Sequence, residues 1–197
     1  PTPVYVIDEA RLKANLERLN ALERRTGCRV LLAQKAFSAF ALYPLIGRYI
    51  SGTAASGLYE ARLGFEEMGK ENHVYSPAYT AAEIDALRTL CSHIIFNSIR
   101  QFETFYPRLS GVSAGLRINP QHSTQSGAIY DPCAPYSRLG ITRAHFPDAL
   151  PAGVEGFHMH TICEQDADAL VETFEVLERD FGRYFRALKW LNLGGGH

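Results

Sequence analysis

Three short stretches carry residues whose types and spacing can do chemistry. In 29-RVLLAQKAF-37 an apolar run leads to Lys35. An amine at the mouth of an apolar pocket is partly desolvated, which favours its neutral form, and a neutral amine attacks carbonyl carbon. The plainer alternative is a lysine at a strand end that snorkels to water. In 157-FHMHTICE-164, His158 and His160 alternate, so on a strand they point the same way. Such a pair can ligate zinc, but no third ligand stands at a convincing spacing. One ring could instead lie flat against a planar cofactor, or both could be core histidines satisfied by backbone. In 190-WLNLGGGH-197 an apolar run ends in three glycines. Glycines let backbone N–H groups close on an anion, and they equally make a tight turn. The run is not the G-x-G-x-x-G dinucleotide fingerprint.

These stretches need elements to hold them, and the chain has a regular rhythm that can. Apolar runs recur at 4–8, 29–36, 51–57, 72–77, 92–98, 113–120, 154–160 and 189–196. From the second on, the first four begin about every twenty residues, the length of a strand, a turn and a helix. The segments between carry helix signals. Asp8 caps a helix over 9–25 with Leu12, Leu16, Leu19 and Leu22 on one face. Thr80 with Glu83, and Ser98 with Gln101, fit the capping box, and Asp166 can cap a later helix bearing Leu170, Phe174, Leu177 and Phe181.

Runs such as 93-HIIFN-97 are apolar without clean alternation, which suits a parallel sheet covered on both faces. A (β/α)8 barrel of the TIM type is the best fit, with a doubly wound sheet second. In a barrel the carboxyl ends of the strands form the active face. Those ends hold Lys35, Ser56, Asn97, Arg117 with Asn119, His160 and Gly194 to Gly196. Leaving out 4–8, the barrel-type strands number seven, so an eight-stranded barrel is incomplete here and the residues read as the front part of a larger protein. The segment 120–151, with Tyr130, Asp131, Cys133 and a Ser137–Gly140 turn, is long for a plain loop and reads as functional or disordered.

Composition narrows the classes. Of 197 residues 46% are hydrophobic and 21% charged, an ordinary globular balance. A net charge of −1 gives no case for nucleic acid or an anionic membrane as partner. No apolar stretch reaches transmembrane length. Cys28, Cys91, Cys133 and Cys163 show no C-x-x-C or metal spacing, which predicts a reduced, cytoplasmic protein, and no cation beside Cys133 marks it as reactive.

Taken in order, TPVYVID, AQKAF, GLRINP, SRLGI, HMHTICE and NLGGGH resemble the fold-type III pyridoxal-phosphate decarboxylases, the group that includes alanine racemase. The likeness spans nearly the whole chain. Within the group, YDPCAPYSRLGI and HTICE are most similar to the branch acting on carboxynorspermidine and carboxyspermidine in polyamine biosynthesis. The resemblance implies a pyridoxal 5'-phosphate enzyme in which Lys35 carries the cofactor and His160 stacks on its ring. It implies that Arg117 points into the site and that Gly195 and Gly196 hold the phosphate. Cys163 stands where ornithine and diaminopimelate decarboxylases place a phosphate-binding serine, and a thiol is a weaker donor. Thr53 falls where ornithine decarboxylase has an acid, and Arg138 reads as a loop or dimer support. The resemblance further implies that residues 1–8 supply a strand of a β-domain lying outside these residues, with 9–197 as the cofactor-binding barrel. It implies a homodimer whose active sites are completed by the partner subunit, and a polyamine-type substrate. Rival readings are a diaminopimelate, ornithine or arginine decarboxylase, a non-catalytic pyridoxal-phosphate carrier, and a sugar- or nucleotide-binding α/β protein.

Overall fold

The computed structural model describes residues 2–125, 127, 129 and 131–196. Tyr130 and His197 lie outside the described residues. The chain divides into two units, residues 1–72 and 73–197.

In the first unit, helix α1 (Glu9–Thr26) begins where the sequence places its cap. Asp8 accepts from the N–H groups of Ala10 and Arg11 at 2.9 and 3.1 Å, which satisfies two of the four orphan donors at the helix start. Gly27 ends it in the left-handed region, φ 75°, with its N–H on the Glu23 carbonyl. Leu16 is buried with Tyr43, Ile46 and Ile50, whereas Leu19 and Leu22 remain about a third exposed. Strand β1 (Leu31–Ala33) runs parallel to β2 (Gly52–Ala55), Leu31 opposite Gly52. A short helix α2 (Tyr43–Ile46) and α3 (Leu58–Glu67) complete the unit. One expectation changes here. β1 is shorter than its apolar run and only partly buried. Residues 4–8 form no strand, and Val4, Tyr5 and Val6 are largely exposed, because an extended segment without a neighbour has nothing to receive its backbone groups.

The second unit takes up β3 (Glu71–Tyr75) from His73 onward and adds β4 (His93–Phe96), β5 (Ser113–Arg117), β6 (Val154–His158) and β7 (Trp190–Asn192). Each strand pairs in parallel with its successor. Helices α4 (Ala81–Leu90), α5 (Ile99–Phe105) and α6 (Ala167–Phe185) stand between β3 and β4, β4 and β5, and β6 and β7. A doubly wound sheet reverses its strand order at a switch point. The five strands here run in sequence order with no reversal, so the barrel reading holds and the alternative falls. Thr80 and Glu83 close a full capping box on α4. Ser98 caps α5 through the Gln101 N–H, but the Gln101 side chain accepts from Asn97 N–H, so that box is half made. Asp166 sits at the start of α6 without a side-chain bond to it.

Two packings hold the second unit. The buried face of α6 seats Leu177, Phe181 and Tyr184, with Phe146 and Phe157 meeting Phe181 edge-on at 5.6 and 6.2 Å. At the amino ends of the strands Trp190 lies over two glycines, and its Nε1–H donates to Ser113 Oγ at 2.8 Å. A Cβ on Gly115 would sit 2.2 Å from the indole, and one on Gly156 2.0 Å. We therefore expect Gly156→Ala to destabilise by about 1–3 kcal/mol, the usual cost of overpacking. Urea denaturation checks this, and Trp190→Leu in the same chain should recover part of the loss. Among the described residues no helix is long and apolar enough to cross a membrane.

Candidate active site

In the first unit, Lys35 occupies a turn two residues beyond β1. The turn is built by local pieces. Gln34 N–H continues the ladder to the Ala54 carbonyl, and the N–H groups of Ala36 and Phe37 both return to the Ala33 carbonyl. Gln34 is buried with its Oε1 on the Tyr43 hydroxyl, so the residue before the lysine points inward and Lys35 points out. Lys35 is exposed, and among the described residues its ammonium has no hydrogen bond or ion pair. The expected partial desolvation is thus not found, because the side chain leaves a turn rather than the buried part of a strand. Thr53, placed by the resemblance where ornithine decarboxylase has an acid, is buried and donates to Asn72 Oδ1 at 2.9 Å, a role inside its own unit.

The second unit brings the remaining predicted residues together at the carboxyl ends of β5, β6 and β7. Arg117, last in β5, is 5% exposed, yet among the described residues no carboxylate pairs with it. Its Nη2 donates to the His160 carbonyl at 3.0 Å and its guanidinium lies 4.6 Å over the Tyr75 ring. The turn at Ser137–Gly140 supports it. Asn97 donates to the Arg138 carbonyl and accepts from Gly140 N–H, and Ile141 N–H reaches the Arg117 carbonyl. A buried cation without a countercharge is costly, so this placement suits an anionic ligand. Thr161 Oγ1, beside His160, is also buried without a hydrogen-bond partner among the described residues.

His158 and His160 face the same way, their rings 11° from parallel with centroids 6.5 Å apart. Their surroundings differ. Burial, reinforced by the Arg117 charge, pushes His158 down to about 3 from its ordinary 6.5, so it is neutral. Gly195 N–H donates to His160 Nδ1 at 3.1 Å, so that nitrogen carries a lone pair and any single ring proton sits on Nε2. The His158 shift has a sign that can be checked. Below 6.5 the unfolded chain takes up a proton that the folded one refuses until about 3, so stability is present above 6.5 and lost as pH falls through that window. The loss between pH 7 and pH 5 should reach about 2 kcal/mol from this group. Denaturant titrations at both pH values compare wild type with His158→Gln, in which this part of the difference should vanish.

The glycine turn joins this cluster. Gly194 and Gly196 have φ of 76° and 104°, and a Cβ there would lie 2.5 Å from the Met159 carbonyl oxygen and 2.1 Å from that of Ile162. Only glycine fits both. Around Gly195 the space is open, with nothing within 4 Å of where a Cβ would be. Among the described residues Gly196 N–H has no acceptor. The Gly196 carbonyl accepts from Gln165 N–H at 2.9 Å, which ties the turn to the segment carrying Cys163. Cys163 is an exposed free cysteine in this segment. Gln125 reaches the same segment through the Gln165 side chain, so part of the long 120–151 loop is fastened beside the turn. Cys133 lies deeper, and burial pushes its thiol up to about 11, which fits an unreactive residue. Sequence reasoning missed Tyr75, beneath Arg117, and Asn192, between His158 and Gly194, because each acts through space from a strand of ordinary pattern.

The chain has known counterparts. The chain is 40% identical over 196 residues to a carboxynorspermidine/carboxyspermidine decarboxylase of Campylobacter jejuni subsp. jejuni, covering 100% of this chain and 51% of that enzyme. The crystal structure of carboxynorspermidine decarboxylase from Campylobacter jejuni, complexed with norspermidine, matches with a TM-score of 0.91 at 40% identity, over 100% of this chain and 51% of that one. The fold is that of the fold-type III decarboxylases. The chain is also 42% identical over 199 residues to a carboxyaminopropylagmatine decarboxylase of Synechocystis sp., covering 100% of this chain and 51% of that enzyme. The chain thus spans about half the length of the curated relatives it matches. No family model matches it.

Proposed function

We propose that the full-length protein is a pyridoxal-phosphate-dependent decarboxylase of carboxynorspermidine and carboxyspermidine, yielding norspermidine and spermidine. The observation that carries this reading is Arg117, a buried cation without a carboxylate, set against His160 and an open glycine turn. These residues suit a ligand that is planar, anionic at one end and reactive toward an amine. Bound there, pyridoxal phosphate supplies an electron sink for the α-carbon as carbon dioxide leaves.

The chain's own residues do the rest. Lys35, exposed and without a hydrogen bond or ion pair among the described residues, would hold the cofactor through its amine. His160, its Nδ1 fixed by Gly195, presents its ring as a flat wall for the pyridine. Arg117 holds negative charge at the floor of the site. The turn of Gly195 and Gly196, with the Gly196 N–H lacking an acceptor among the described residues, would hold the phosphate, with Cys163 a weak supporting donor. We further place the protein in the cytoplasm as a homodimer whose partner subunit completes each site, with residues 1–8 serving a β-domain, as the resemblance implies.

A second reading has one observation in its favour: the carboxyaminopropylagmatine decarboxylase is 42% identical, level with the first relative. Carbon dioxide release from carboxynorspermidine, carboxyspermidine and carboxyaminopropylagmatine, measured with the full-length protein, separates them. We expect kcat/KM to be highest for the first two. Preference for the third transfers the assignment to that branch, and release from none of them removes the decarboxylase reading.

A further inference from the structure

Asn192, the last residue of β7, stands between His158 and the glycine turn. Its Oδ1 accepts from Gly194 N–H at 2.9 Å and lies 3.0 Å from His158 Nδ1. A backbone N–H can only donate, so it fixes which end of the carboxamide is oxygen. That oxygen in turn requires a proton on His158 Nδ1. His158 is buried and neutral, so its single proton is the one on Nδ1. β6 and β7 pair with His158 opposite Asn192, which keeps the three groups in register.

We infer that Asn192 is a positioning residue: bridged to His158, it draws in Gly194 N–H and sets the turn so that Gly196 N–H is presented to a phosphate. The inference rests on the function proposed above and assigns this part of phosphate recognition to a residue that does not touch the ligand. The reasoning is geometric. Tying Gly194 N–H back to the strand that has just ended forces the chain to reverse at φ 76°. The reversal leaves Gly195 on the open side, and it lets the Gly196 carbonyl close on Gln165 N–H. Without the Asn192 oxygen, Gly194 N–H and His158 Nδ1–H lose their shared acceptor, and the turn keeps only its later ties, from Gly195 N–H to His160 and from the Gly196 carbonyl to Gln165.

The test compares pyridoxal phosphate with pyridoxal, which lacks the phosphate, in the full-length wild type and in Asn192→Leu. Wild type should bind the phosphorylated form more tightly. In the variant that preference should shrink about tenfold, the equivalent of one good hydrogen bond, while pyridoxal affinity stays within about twofold. An unchanged preference, or an equal loss for both compounds, overturns the role of Asn192 and leaves the proposed function standing. Failure of wild type to bind either compound removes the proposed function and this inference with it. Should the variant not fold, nitrogen-15 NMR of the wild-type histidines decides: neutral His158 must carry its proton on Nδ1, and a proton on Nε2 instead overturns the inference.

Discussion

Lys35→Ala is expected to leave the full-length protein folded and unable to retain pyridoxal phosphate, with turnover falling by roughly three orders of magnitude or more. Lys35 is exposed, and among the described residues it makes no hydrogen bond or ion pair, so its loss removes no packing. Surface changes of that kind usually move stability by less than about 0.5 kcal/mol. Activity and stability should therefore separate cleanly. The measurements are thermal unfolding of both proteins without cofactor, cofactor retention after gel filtration, and carbon dioxide release. A variant that keeps its cofactor, or loses its fold along with its activity, contradicts the role given to Lys35.

The largest structural effect should come from Phe181→Ala. Phe181 is fully buried on α6, edge-on to Phe146 and Phe157 and beside Tyr184. Removing the ring deletes apolar burial and leaves a cavity among stiff aromatic neighbours that cannot close on it, a cost of about 3–5 kcal/mol. Phe181→Leu, which fills most of the space, should cost much less. Guanidinium denaturation of the three proteins checks the order. A cost under about 1 kcal/mol for the alanine variant means that α6 is not anchored here. Because α6 follows directly on the segment of Cys163 and Gln165, the same variant should also weaken cofactor retention.

What could be read from the sequence follows the range of the forces involved. Asp8 and Thr80 cap their helices as expected, since a cap is decided within four residues. Strand order in the second unit was also legible, because regular apolar runs separated by helix signals leave few topologies for a parallel sheet. The glycine turn and the Ser137–Gly140 turn were visible as motifs, and the structure sets the first against the Met159 and Ile162 carbonyls and the second on Asn97. Where a side chain has a choice of partners, the sequence said less. Gln101 serves Asn97 rather than closing its own capping box, and Asp166 leaves α6 uncapped. The apolar run before Lys35 suggested burial, but the turn that starts at Gln34 carries the lysine outward. Tyr75 and Asn192 stayed hidden for another reason: their roles arise from parallel strands placed side by side, which no local pattern encodes.

The central claim of the proposed function is that Lys35 carries the cofactor. Borohydride reduction of the full-length protein with pyridoxal phosphate, followed by intact mass and peptide mapping, tests it most directly. The account predicts one reduced adduct per chain, on the peptide containing Lys35. No adduct on the folded protein, or an adduct on a different lysine, contradicts it.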